Sequence, residues 1–526
     1  MIITSLSVVA FILAFMLSSR LYFRLDLTQN RSYTLSAHSR NLHRELDDML
    51  RITYFVSDRL VSSHPLPEEI SGLLREYAAH SRGKIQFIRK DPIRANLIRE
   101  VEGMGIAPQI IRVMDRNEIS TAAVYTGILI EYLDRTEVLP LVFSLDTLEY
   151  DISSRILSLA RDRDRILGII IGDSSKQWGT DYALLDFELR RAGYRVRLFF
   201  PGEEIPDFLP ILFILGGVEE LDEWALYRID RYIQLGGRVL FALDSLKVDL
   251  LYGLELRLSV DQGLLAMAAA YGVVVLPAMA LDQAALQISF QARGNPTEIN
   301  TVPYPQWIAI QEQNGNPRHP VTLGFSGLYL YWASPLELNP PTGVKADPLF
   351  ISTPEAWLQT RDFNANPEEP FLLELEASIT RGTKILGAAL SGTFPGVFRD
   401  LPKPQREGSF AELPDMPAFA LPSRIIVVGN SDFAGSMMEI GGGEQKNLDF
   451  LLRAADWLGN DEEIISIRQG GPGRLDRIAD LVKRKALMDF SRTLNVFVLP
   501  FLIIIAGLVI TGKRKRKTRG MNSHDL

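Results

Sequence analysis

Two uncharged apolar segments bracket this chain, and nothing else in it limits the possible folds so strongly. Residues 2–19 (IITSLSVVAFILAFMLSS) and 494–511 (LNVFVLPFLIIIAGLVIT) carry no charged side chain, and Lys513, Arg514, Lys515, Arg516 and Lys517 follow the second directly. A helix crossing a bilayer needs about 20 mainly apolar residues, and each segment just reaches that length. The expectation is a folded body with an N-terminal transmembrane anchor (1–23), a C-terminal transmembrane helix (494–512) and a basic cytoplasmic tail (513–526). Dense basic flanks mark the cytoplasmic side. The expected location is therefore the inner (cytoplasmic) membrane, with two spans, both termini cytoplasmic and the body extracytoplasmic. Arg20, Arg24 and the Lys483–Lys485 run pull the other way but are sparser or farther from a span. Lys513 to Lys517 are the topogenic residues, and they would also hold anionic membrane lipid. A cleaved signal peptide is the alternative for the first segment, but a charged leading region is missing.

The chain has 526 residues, 47% hydrophobic and 23% charged, which suits folded domains with real cores. The net charge is -8 despite the basic tail, so the body is acidic. That argues against nucleic acid as a partner, since phosphate binding needs clustered Lys and Arg. There are no cysteines. Disulfides, Cys-ligated zinc, iron–sulfur clusters and a Cys nucleophile are thereby excluded. No cofactor is expected.

The body divides by pattern. Ser36 is positioned to cap a helix carrying Leu42, Leu46 and Leu50. Apolar runs near residues 51–57, 84–89, 110–114 and 122–132, with a helix over 68–81, suggest an N-terminal thioredoxin-like α/β domain over 24–150, without the Cys pair of redox chemistry. From 151 to 290, short apolar strands at 165–171, 194–200, 211–215, 238–243 and 272–276 alternate with helices. This is the pattern of a doubly wound parallel sheet. Residues 291–420 are rich in Pro, Asn and Gly and read as an inserted β/loop-rich region. Residues 421–468, with the strand RIIVV and an amphipathic helix at 447–458, complete the α/β domain. Residues 469–493 are a charged juxtamembrane helix.

Three stretches in this order resemble one family. They are Arg24–Thr28 through Tyr33–Ser36, Leu221–Asp244 with Gly263–Val273, and Arg424–Phe433 with Asn447–Leu458 and Asp461–Arg468. Together with the final apolar run and basic tail, they resemble the GldG-like ABC-transporter auxiliary proteins, named for gliding motility. The resemblance implies a non-enzymatic, membrane-tethered subunit beside a multi-span ABC permease and a cytoplasmic ABC ATPase. It also implies an α/β domain of the flavodoxin-like or class I glutamine amidotransferase-like type, here without the catalytic Cys.

The site candidates are strand ends. Asp173, Asp244 and Asp432 each follow an expected parallel strand, with Ser174, Ser175, Asn430 and Ser431 beside them. Open α/β sheets bind ligands at the carboxyl ends of their strands, so Asp173, Ser174, Asp244, Asn430 and Asp432 are the candidate ligand-binding residues. The plainer account is that they cap turns and helices. No catalytic or metal site is expected. No nucleotide-binding G-x-x-x-x-G-K-[ST] loop is present, and Phe433 stands where a nucleophile elbow needs its second glycine. Trp307 and Trp332 are the tryptophans expected to face a partner. The expected function is a non-catalytic auxiliary subunit of an ABC transport system. The alternative is a stand-alone membrane-tethered ligand- or sugar-binding protein.

Overall fold

The computed structural model describes residues 35–115, 118–145, 147–161, 165–249, 255–292, 295–363, 365–366, 379–406 and 412–459. The N-terminal elements are α1 (Ala37–Asn41), β1 (Leu50–Val56), α2 (Asp58–Ser63), α3 (Leu66–His80), β2 (Ile85–Lys90), α4 (Ile98–Gly103) and β3 (Gln109–Asp115), then β4 (Glu118–Val124), β5 (Thr126–Tyr132) and β6 (Arg135–Leu139). They build a four-stranded sheet in the order β2-β1-β5-β6 with a separate β3–β4 hairpin. β1 runs parallel to β2 and antiparallel to β5. Ser36 Oγ accepts the Ser39 amide at 3.1 Å and starts α1. The helix is shorter than its leucine spacing suggests: a 3-10 turn, Leu42–Arg44, replaces it, and Leu50 already lies in β1.

A helix, α5 (Leu148–Arg161), leads into the second region: β7 (Ile166–Ile171), α6 (Trp178–Asp181), α7 (Ala183–Arg191), β8 (Arg195–Phe199), β9 (Ile211–Leu215), α8 (Glu223–Gln234) and β10 (Arg238–Ala242). Next come β11 (Leu246–Asp249), β12 (Glu255–Leu258), α9 (Leu264–Tyr271), β13 (Val273–Val275), β14 (Met279–Leu281), β15 (Ala285–Ala292) and β16 (Asn295–Ile310). The last are β17 (Leu328–Tyr331), β18 (Leu336–Leu338), β19 (Val344–Ile351), β20 (Trp357–Gln359), β21 (Ile385–Gly392), β22 (Ser423–Val428), α10 (Met437–Ile440) and α11 (Glu444–Leu458).

A nine-stranded sheet dominates, ordered β13-β18-β21-β22-β10-β9-β7-β8, with β19 also on β21. β8, β7, β9, β10 and β22 are mutually parallel. β22 slots in next to β10 although about half of the region's chain separates them. Numbered along the chain, the parallel strands lie 2-1-3-4-5, which puts a topological switch point between β7 and β9. Their side chains alternate between two cores. Leu167, Ile169, Phe213, Leu240 and Ile426 face α5, α7 and α11, whereas Ile170, Leu212, Ile214, Phe241 and Val427 face α8 and α9. Coverage on both faces explains why the inner strands β7, β9, β10 and β22 are apolar at nearly every position, whereas the edge strand β8 carries Arg195 and Arg197.

The expected fold class is corrected on two counts. The fold is mixed α/β with many small sheets: the parallel strands make up only part of the main sheet, which β13, β18, β19 and β21 extend antiparallel. These strands come mostly from the Pro- and Gly-rich region, and they pair antiparallel over long sequence separations. Second, no helix among the described residues is long and apolar enough to cross a membrane. The longest, α3 and α11, have 15 residues each. That is about 22 Å of helix, short of a ~30 Å hydrocarbon core. The expected flanking transmembrane helices, and with them the two-span inner-membrane location, are therefore not supported. Residues 2–19, 469–493 and 494–512 and the basic residues Lys513 to Lys517 lie outside the described residues.

One buried ion pair fastens the last described helix to the start of the sheet. Arg165 donates to Asp456, whose carboxylate also accepts from Tyr150 at 2.9 Å and from Tyr194 at 2.8 Å. Asp456 is fully buried, and the guanidinium lies 4.0 Å over the Tyr194 ring. Removing one partner of such a pair strands a buried charge and costs about 3–5 kcal/mol, whereas replacing both with apolar residues costs far less. Asp456→Ala is therefore expected to lower unfolding stability in urea by about that amount. The double change Arg165→Met, Asp456→Leu should recover most of it. A loss under about 1 kcal/mol for Asp456→Ala would contradict this role.

Candidate functional site

The carboxyl ends of β7, β9, β10 and β22 meet at one edge, and close backbone approach makes the meeting possible. A Cβ on Gly172 would lie 2.3 Å from the Gly217 Cα, and one on Gly429 only 1.9 Å from the Ser334 carbonyl. Glycine is therefore required where these loops cross. Gly216, at φ 74°, sits between Asp173 and Ser431: a Cβ there would lie 3.8 Å and 3.9 Å from their Cβ atoms.

Of the sequence candidates, Asp244, Asn430 and Asp432 are brought together. Asp244 Oδ1 accepts Asn430 Nδ2–H at 3.0 Å, and both its oxygens accept the Ser431 amide at 2.9 Å. Asn430 is fully buried and bridges to the Tyr331 backbone, donating at 2.7 Å and accepting at 3.1 Å. Asp432 takes the Lys176 ammonium instead. Asp173 organises its own turn, accepting the Ser175 amide at 3.0 Å and hydroxyl at 2.6 Å. Ser174 turns away to Glu220, its amide 2.9 Å from Oε2. The candidates thus split into a joined set (Asp244, Asn430, Asp432) and a local turn (Asp173, Ser174).

Electrostatics follows this geometry. Burial, and next the charge of Asp432, pushes the Asp244 carboxyl up to about 6. Burial would raise Asp173 as well, but the Ser175 hydrogen bonds and the nearby lysines bring it below its usual value. Burial disfavours the Lys176 charge, yet Asp432 and Tyr182 outweigh it and hold the ammonium protonated. Sequence reasoning missed Lys176. The signal was present: it is a cation three positions beyond Asp173, on the edge where the acids converge. Tyr182 was missed too. It is 1% exposed, stacks on Trp178 with centroids 5.8 Å apart, and its hydroxyl has no hydrogen-bond partner.

Nearby, Glu219 is held at about 2 by its hydrogen bonds to Arg257, despite some burial. Trp332 is 3% exposed and packs edge-to-face on Trp307, centroids 5.6 Å apart, so this pair builds an aromatic core rather than a surface. Among the described residues no group of three or more His, Asp and Glu could hold a metal ion. A cavity of about 510 Å³ opens at the opposite, amino edge of the sheet, lined by Arg165, Tyr194, Ile211, Arg238 and Gly459; the acidic cluster has no part in it.

Because Asp244 is raised above the ordinary carboxylate value of 3.8, its protonated form is favoured by folding. The stability it contributes is fully present below about pH 4 and is lost as pH rises through about 6. Asp244→Asn, which is always neutral, should flatten the wild-type decline in urea midpoint between those limits. Parallel pH profiles for the two proteins would contradict the shift.

The likeness to two solved structures is distant. The N-terminal domain of mmIFT52 is 12% identical, with 56% of this chain and 97% of that one covered and a TM-score of 0.31. The exo-beta-1,4-mannosidase Op5Man5 from Opitutaceae bacterium strain TAV5 is 10% identical, covering 75% and 49% at a TM-score of 0.22. Neither carries an argument at those scores. An uncharacterized protein of Borreliella burgdorferi is 26% identical over 514 residues, 94% of each chain. Residues 29–131 match a domain family of unknown function. Residues 164–464, which contain the whole main sheet and the strand-end cluster, match the model of the ABC-type uncharacterized transport system, and the chain belongs to that family of ABC-transporter auxiliary proteins.

Proposed function

We propose that this chain is a non-catalytic auxiliary subunit of the GldG-like type, acting beside a separate multi-span permease and a cytoplasmic ATPase. Its α/β body binds a partner or cargo at the strand-end edge, through Asp173, Ser174, Asp244, Asn430 and Asp432 with Lys176. Family membership over residues 164–464 is the observation that carries the reading.

The chemistry of the edge supports a binding role over nucleotide work. In a phosphate-binding loop, backbone amides after the first strand face the ligand. Here the Ser174 and Ser175 amides are taken by Glu220 and Asp173. Carboxylates outnumber ammonium groups along the edge, so it repels triphosphate and suits a cationic or hydrogen-bond-donating partner group. Lys176 holds Asp432 until such a group replaces it.

The test is a chain with Asp173→Asn, Asp244→Asn and Asp432→Asn together, which keeps side-chain shape and removes charge. Capture of the permease and ATPase by this chain should fall at least about tenfold, or ~1.4 kcal/mol, while circular dichroism shows the variant folded at the assay temperature. A fallen midpoint with undiminished capture would make the aspartates turn caps and remove the edge from the binding role.

A further inference from the structure

A separate set of side chains converges on the N-terminal region. Arg40, Asn41, His43, Ala79, His80 and Arg82 line a cavity of about 430 Å³. They come from the end of α1, the 3-10 turn after it, and the last turn of α3 with the residues beyond. Among the described residues no carboxylate lines this cavity. Among the described residues neither Arg40 nor Arg82 is ion-paired.

His43 makes this more than a basic patch. It is 8% exposed, and its Nδ1–H donates to the Arg40 carbonyl at 3.0 Å, which fixes the tautomer. Its Nε2 is buried without a hydrogen-bond partner, a state that folded proteins rarely tolerate. His80 is anchored alike, its Nδ1–H on the Glu76 carbonyl at 3.0 Å. Arg82 sits at φ 54°, a left-handed conformation that glycine adopts without strain, yet an arginine is held there.

We propose that this cavity is a binding site for a phosphate-type oxyanion, with Arg40 and Arg82 supplying charge and His43 Nε2 the buried contact. Guanidinium groups match phosphate oxygens bidentately. The imidazole Nε2 accepts from a P–OH or, when protonated, donates to a P–O⁻. Two imidazoles tied back to carbonyls also resemble metal ligands, but the arginines at the rim oppose a cation. Basic groups at the end of α3 complement its dipole, and that role alone leaves the His43 nitrogen unexplained.

The full chain titrated calorimetrically with inorganic phosphate should show saturable one-to-one binding that weakens with added salt. Arg82→Gln and His43→Leu should each weaken it about tenfold or more, with thermal midpoints unchanged. Arg82 is exposed, so its variant carries the test if His43→Leu fails to fold. Vesicles containing phosphatidic acid, set against phosphatidylcholine alone, distinguish the source. Capture of the first only, displaced by free phosphate, assigns a lipid headgroup; phosphate binding without capture assigns a soluble phosphate. No saturable phosphate binding, binding indifferent to both variants, or zinc binding without phosphate binding would overturn the proposal.

Discussion

The buried pair of Arg165 and Asp456 is what the rest of the architecture depends on. Arg165 stands at the foot of the first parallel strand, and Asp456 lies near the end of the last described helix. Between them runs nearly the whole of the main sheet. Neither charge tolerates burial alone, so the last helix must return to one place and one orientation. Tyr150 and Tyr194 add their hydroxyls and tie the helix entering the sheet and the turn before its edge strand to the same carboxylate. Once that helix is seated, β22 lies parallel to β10, pairing Val239 with Ile425 and Ala242 with Val428. A long loop closure is thereby offset by a dry strand pair and a filled core.

This closure also creates the strand-end cluster. Asn430, Ser431 and Asp432 reach Asp244 and Lys176 only because β22 is the neighbour of β10. The cluster is balanced between structure and readiness. Asn430 and the Ser431 amide satisfy Asp244, while the Asp432 charge works against its ionisation. On the proposed reading, an edge with more carboxylates than lysines gains from another cationic group. An edge of that kind fits a protein whose work is contact with partners.

Some of this was legible in the sequence. Ile211–Leu215 and Arg238–Leu243 are recognisable as core strands because every position between two covered faces must be apolar. Asp244, Asn430 and Asp432 could be assigned to one edge from their places after such strands. Pairing was not legible, because strand order is decided by contacts hundreds of residues apart. The Pro- and Gly-rich stretch hid β18, β19 and β21, which continue the sheet antiparallel. The position of Lys176 three residues beyond Asp173 was a usable signal, but its pairing was not legible, since its partner Asp432 lies 256 residues away. The leucine spacing at 42, 46 and 50 pointed to a longer helix, yet Leu50 is buried as the first residue of β1. Tertiary pairing overrode the local period there.

The central claim, an auxiliary subunit that works through partners, is tested most directly by gentle affinity purification of the intact chain from its native source, with quantitative mass spectrometry of what accompanies it. The account predicts an ABC permease and an ABC ATPase in amounts comparable to the chain. Recovery of the chain alone, under conditions that preserve other transport complexes, would contradict it.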